Sequence, residues 1–267
     1  MLLEATGVEK TFRGRRGGKP VRAVVDATLQ VRPGDFVAIV GESGSGKSTL
    51  ARLLLGLLPA TNGTVAFDGV PLGQMGTAQR RAFRRSVQAV LQDPAGSLNP
   101  RKKVATLIGE VAALHDVARG RDAVRDKVLE VLELVGLTPA EQFLDRFPHE
   151  LSGGQRQRVL LARAIVLDPR IIVADEAVSA LDASVKAGVL ALMDDLRRRL
   201  GVGYVFITHD LPVVKKVAEH VYVMKSGEIV EEGTKDTIFG NPEHPYTRAL
   251  LAAAPTLTTS SAEPTTT

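Results

Sequence analysis

Three groups of residues in this 267-residue chain have types and spacings that could do chemistry. The run Gly41, Glu42, Ser43, Gly44, Ser45, Gly46, Lys47, Ser48 and Thr49 satisfies G-x4-G-K-[ST]. Glycines let a backbone wrap closely and aim its N–H groups at phosphate oxygens. A helix starting at the same point turns its positive dipole end toward that anion. Lys47 can reach the β- and γ-phosphates, and the Ser48 hydroxyl can coordinate Mg²⁺. An ordinary glycine turn is the plain alternative, but chance gives the full pattern in roughly one such chain in a hundred. The second group, Asp175 and Glu176, ends the apolar run Ile171-Ile-Val-Ala. Carboxylates at the C-terminal end of a parallel strand stand where α/β sheets bind ligands. Asp175 would there hold the hydration shell of Mg²⁺, and Glu176 would face an attacking water as general base. Alone, such a pair is as often a helix cap or a solvated loop; beside a phosphate loop the chemical reading prevails. The third group is Leu151, Ser152, Gly153, Gly154 and Gln155. Ser152 and Gln155 by themselves make a capping box. A capping box needs neither Leu151 nor the two glycines, and the five-residue string arises by chance well under once in about a thousand such chains.

These groups need elements to hold them. Residues 36–40 are a short apolar run that ends at Gly41, and residues 48–57 are helical in character, so the phosphate loop joins a buried strand to a helix. Strands are expected at residues 2–8, 23–31 and 62–69, with the glycine- and arginine-rich stretch 13–22 as a solvated connection between the first two. Helical character takes over from about residue 99 to 150. Val124, Val128, Val131 and Val135 recur there at spacings of four, three and four, and Gly136 ends the run. A helix over 153–167, a strand over 171–174, a helix over 183–200 and a strand over 204–208 follow. This alternation predicts an α/β fold with a mostly parallel sheet covered on both faces and a helical block inserted into it.

Composition narrows the function. Hydrophobic residues are 44% and charged residues 24%, with a net charge of +4, ordinary for a globular domain. Aromatics at 4% and no Trp weaken any reading that needs base-stacking platforms. The absence of Cys excludes disulfides and thiolate metal sites. No apolar run approaches the roughly 20 residues that a membrane-spanning helix needs, and the N-terminus lacks a signal-peptide pattern. Residues 256–267, rich in Thr and Ser, are expected to be a disordered tail.

With these motifs in order, the chain resembles the ATP-binding-cassette ATPases, in which LSGGQ is the signature motif. The resemblance covers roughly residues 2–255 and implies a P-loop NTPase (RecA-like) core with an N-terminal antiparallel β-subdomain and an α-helical subdomain at about 95–160. It implies ATP and Mg²⁺ as ligands, with the signature capping the γ-phosphate on a second subunit's loop. Further positions match the family one by one. Phe12 matches the aromatic that stacks on adenine. Gln92 matches the Q-loop glutamine that senses Mg²⁺ and the membrane subunit. Ser179, Ala180, Leu181 and Asp182 match the D-loop, and His209 matches the switch histidine. Ser48, Gln92 and Asp175 are thus the expected Mg²⁺ ligands, Asp175 through water. Ala177 stands where many members have Pro.

The string Gln92-Asp-Pro-Ala-Gly-Ser-Leu-Asn-Pro100 and the stretch His244-Pro-Tyr-Thr247 resemble ATPase subunits of oligopeptide, dipeptide and nickel importers, with a C-terminal extension at about 233–255. The implied function is ATP hydrolysis that drives uptake of peptides or nickel and metal complexes, with a mild lean to the nickel type. The implied partners are a second ABC ATPase in a heterodimer, two integral-membrane permeases and, indirectly, an extracellular substrate-binding protein. The implied location is the cytoplasmic face of the membrane, with no nucleic acid involved. No iron–sulfur cluster is expected. The rival is a soluble ABC ATPase acting on DNA or ribosomes, but the two cassettes, long coiled coil or zinc cysteines usual there are missing.

Overall fold

The structure is a computed structural model that describes residues 2–13, 19–91 and 94–253. The expected tail at 256–267 and Gln92 lie outside the described residues. Two sheets carry the fold. The larger has the order β10-β9-β3-β8-β7-β6. Its strands are β3 (Phe36–Val40), β6 (Val87–Val90), β7 (Ile171–Asp175), β8 (Gly203–Thr208), β9 (His220–Lys225) and β10 (Glu228–Thr234). From β9 to β6 all neighbours pair in parallel, and β10 closes the edge antiparallel. The smaller sheet is antiparallel, in the order β2-β1-β4-β5, with β1 (Leu3–Phe12), β2 (Val21–Val31), β4 (Asn62–Phe67) and β5 (Val70–Pro71).

Every residue of β3, β7 and β8 is buried, as a parallel strand covered on both faces requires. Alternate side chains then serve different cores. Ile172 and Ala174 of β7 pack into a cluster with the helices of the inserted block, whereas Ile171 and Val173 pack beneath the smaller sheet. Full burial of each such side chain is worth on the order of 1.5–3 kcal/mol, so a register slip of one residue in β7 would misplace both sets.

Helix α1 (Lys47–Leu54) ends three residues before the expected limit at 57. Gly56, at φ 65°, takes the left-handed conformation that closes the helix. The N–H of Gly56 bonds the Leu53 carbonyl and that of Leu57 the Arg52 carbonyl, a Schellman stop. Helix α2 (Thr77–Ser86) leads into β6. The helical block consists of α3 (Pro94–Ser97), α4 (Val104–Leu114), α5 (Arg121–Leu134) and α6 (Glu141–Leu144). Val128, Val131 and Val135 of the predicted stripe are buried, and Val124 is half-buried against the same core. Helix α7 (Gly153–Ile165) connects this block to β7, and α8 (Ala183–Leu200) connects β7 to β8. Helices α9 (Leu211–Val217), α10 (Lys235–Gly240) and α11 (Pro245–Ala252) pack against β3 and β9 in a third cluster. No helix among the described residues is long and apolar enough to cross a membrane.

Candidate nucleotide site

The C-terminal ends of β3, β7 and β8 meet at one cleft of about 1050 Å³. The loop after β3 forms its floor. Gly41 and Gly46 hold it in a shape closed to other residues. Gly41 has φ 152° and a Cβ there would lie 2.1 Å from the Met224 carbonyl oxygen; Gly46 has φ 105° and its Cβ would lie 2.2 Å from that of Ala23. Side chains cannot approach a backbone oxygen so closely, so the loop passes where only glycine fits.

Lys47 opens α1 and is buried. Its Nζ donates to the carbonyls of Gly41 at 2.8 Å and Glu42 at 2.7 Å, and to Ser45 Oγ at 3.3 Å. Burial pulls its pKa below the ordinary lysine value, against the opposing charges of Glu176, Asp175 and Glu42. The ammonium is thus held by the loop that surrounds it, with three carboxylates near enough to favour its charge. Ser48 Oγ donates to Asp175 Oδ1 at 3.2 Å. Burial pushes the Asp175 carboxyl up, with Glu176 adding to the shift while Ser48 and Lys47 oppose it. A buried carboxylate and a hydroxyl that share one hydrogen bond are a donor set suited to a hard divalent cation, whose charge would relieve that burial penalty.

Glu176 stands just past β7 with φ 49°, a conformation rare for a residue with a side chain. Its N–H is anchored to the Ile207 carbonyl of β8 at 2.8 Å. Its Oε1 lies 3.2 Å from His209 Nδ1, and both side chains line the cleft. The next residue, Asp210, donates its N–H to Thr208 Oγ1 at 3.0 Å, and its carboxylate pairs with Lys186 of α8 at 2.6 Å. The arrangement can cradle a phosphate chain at the loop, place a cation beside it, and present a carboxylate with a histidine partner toward a bound water.

The signature residues stand elsewhere. Leu151 is buried, and Ser152 caps α7. Its Oγ accepts the Gln155 N–H at 3.2 Å while Gln155 Oε1 accepts the Ser152 N–H at 3.0 Å, so the capping box is formed as well. None of residues 151–155 lines the cleft. They abut the D-loop instead. A Cβ on Gly153 would lie 3.4 Å from Leu181 Cδ2, and one on Gly154 would lie 2.5 Å from Val185 Cγ1. Ser179 Oγ donates to the Glu176 backbone carbonyl at 3.0 Å, so the segment through Ala180 to Asp182, which leads into α8, joins the Glu176 backbone to the signature surface. Phe12 ends β1 with its ring 5.5 Å from Lys10 Nζ and does not line the cleft; its register partner Val21 does.

Residues 24–179 match the ABC transporter family. The chain belongs to that family. It is an ATPase, with the nucleotide as its substrate. Residues 230–266 match the oligopeptide/dipeptide transporter C-terminal region. The dipeptide transport ATP-binding protein DppF of Haemophilus influenzae is 45% identical over 96% of this ABC chain and 79% of its own length. The glutathione import ATP-binding protein GsiA of Salmonella typhimurium is 43% identical over 95% of this chain but 41% of its own length. Among solved structures, a post-hydrolysis dimer of the ATP-binding cassette MJ0796 bound to ADP and Pi superimposes with a TM-score of 0.75 at 29% identity, covering 88% of this chain and 99% of that one. The cbiO1 subunit of Clostridium perfringens, part of the ABC transporter complex cbiONQ, gives 0.77 at 26% identity, covering 90% of each.

Of the residues singled out by the motif pattern, loop residues, Glu176 and His209 line one cleft, and Asp175 is joined to it through Ser48. The pattern did not reveal the Lys186–Asp210 pair after His209 in the chain, nor the cleft walls made by Ser226, Gly227, Leu250 and Ala253. Ser226 and Gly227 carried a signal, since a Ser-Gly pair between two alternating runs marks a hairpin.

Proposed function

We propose that the chain is the ATP-hydrolysing subunit of an importer for peptides or peptide-like solutes, held at the cytoplasmic face of the membrane by permease partners. The observation that carries this reading is the joint presence of the phosphate-loop cleft and the C-terminal match at 230–266. The relatives' names speak of dipeptides and glutathione, which favours the peptide branch over the nickel one. The helical block, about 95–160, would be the subdomain that meets the permeases, and about 233–255 the importer-type extension.

In the chemistry we assign, loop N–H groups and Lys47 bind the β- and γ-phosphates, and Ser48, Asp175 and Gln92 would hold Mg²⁺, Asp175 through water. The cation, when bound, neutralises charge on the phosphates. Glu176 takes the proton of the attacking water, and His209 steadies both the carboxylate and the γ-phosphate. Phe12 would stack on adenine. Ser152 and its neighbours lie outside this cleft, so they act on a second subunit's nucleotide. That makes a dimer with two interfacial ATP molecules the working unit, a heterodimer with a second ABC ATPase in our reading, fed by an extracellular binding protein.

The test is recovery of partners by tagged chain carrying Glu176→Gln, with ATP, from detergent-solubilised membranes. Two polytopic permeases and a second cassette ATPase are the expected partners. Ribosomes or DNA-repair proteins without a membrane protein would overturn the transporter assignment.

A further inference from the structure

The C-terminal helix α11 reaches the phosphate loop. Tyr246, in its first turn, is buried with Ala38 and Val40 of β3 and Val223 of β9. Its hydroxyl accepts the backbone N–H of Glu42 at 3.1 Å, across 204 residues of sequence. That N–H belongs to the same rigid peptide plane as the Gly41 carbonyl, which accepts from Lys47 Nζ at 2.8 Å. Tyr246 and Lys47 thus grip opposite edges of one peptide unit. The phenol is itself fixed from several sides. Lys225 Nζ sits 4.9 Å from the ring centroid. The Glu231 carboxylate accepts the N–H groups of Glu243 at 2.7 Å and His244 at 3.1 Å, which anchors the start of the helix, and His244 Nδ1 accepts the Tyr246 N–H at 3.1 Å. Further along, Leu250 and Ala253 stand in the wall of the cleft.

We propose that Tyr246 is a positioning residue for ATP binding: by fixing the Gly41–Glu42 peptide plane it sets the loop and Lys47 for the phosphates, and it makes α11 part of the nucleotide site. A peptide with only one edge held can rotate about its flanking φ and ψ, and Gly41 offers little resistance to that rotation. Lys47 would then follow its carbonyl partner away from the phosphate position. The inference rests on the cleft being the ATP site, as proposed above.

The variant Tyr246→Phe keeps the ring, its packing and the Lys225 contact, and removes only the hydroxyl. Calorimetric titration of the full-length chain with ATP reads affinity and stoichiometry separately. The expected result is a Kd raised about two- to tenfold at unchanged stoichiometry, the range that one neutral hydrogen bond gives. An unchanged Kd would overturn the role of Tyr246, whether stoichiometry or nucleotide-free melting temperature held or fell, because a merely structural residue lowers the folded fraction without weakening each folded site. Should the unsubstituted chain bind no ATP, the assignment of the cleft itself falls and this inference with it.

Discussion

Gly154→Ala isolates the contact between the signature helix and the D-loop helix. The new Cβ would lie 2.5 Å from Val185 Cγ1, where carbon atoms prefer about 3.5–4.0 Å. Val185 is β-branched in a helix, so its χ1 is stiff and it cannot swing clear without cost. Overpacking of this kind costs about 1–3 kcal/mol, while Ala in place of Gly returns up to about 1 kcal/mol of helix propensity. The single variant should therefore lose about 0–3 kcal/mol. In a Val185→Ala background the nearest remaining neighbour is Val185 Cβ at 3.9 Å, so the clash disappears and Gly154→Ala should become neutral or stabilising. Urea denaturation of the four proteins in a double-mutant cycle measures the difference. A coupling of about 1–3 kcal/mol is expected; effects that add within about 0.5 kcal/mol would refute the contact and with it the rigid join between signature and D-loop.

Two further substitutions probe buried polar groups. Asp175→Asn removes a carboxyl whose folded pKa burial raises above its unfolded value, so in the acid range the folded wild type binds more protons than the unfolded chain and loses stability as pH rises through that window. The Asn variant lacks this loss: its stability relative to wild type should grow with rising pH across the carboxylate range in melts at several pH values, while ATP turnover collapses. Tyr204→Phe should raise stability by about 1 kcal/mol, because the Tyr204 hydroxyl is buried without a hydrogen-bond partner among the described residues while its ring stacks on Phe36 at 5.2 Å; a loss of stability on denaturation would show an acceptor for that hydroxyl.

The strands that carry the chemistry were legible because burial on both faces demands unbroken apolar runs, and β3, β7 and β8 are such runs ending at Gly41, Asp175–Glu176 and His209. Helix α8 was read to its exact limits for a related reason: Asp182 precedes it and Gly201, at φ 67°, ends it. Strand β6 went unread, since four residues with a Gln among them carry no clear period. The β9–β10 hairpin also went unread despite its Ser226–Gly227 turn. The motifs spelled out the loop but not what steadies it. Tyr246 meets Glu42 only through the packing of α11 on β3 and β9, a contact across 204 residues that no local pattern encodes. His244-Pro-Tyr-Thr247 could be read as a Pro-containing turn before a short helix, and the structure forms that too, with His244 as the cap of α11.

In the function proposed above, Glu176 activates water in a cleft completed by a second subunit. The most direct test is single-turnover ATP hydrolysis by the assembled transporter carrying Glu176→Gln, with ATP binding measured on the same sample. ATP should bind as before and hold the ATPase subunits together as a stable dimer, while hydrolysis falls by about 10²–10⁴-fold, the usual contribution of a general base. Hydrolysis within about twofold of the unsubstituted complex, a change too small for loss of a general base, would contradict that role for Glu176.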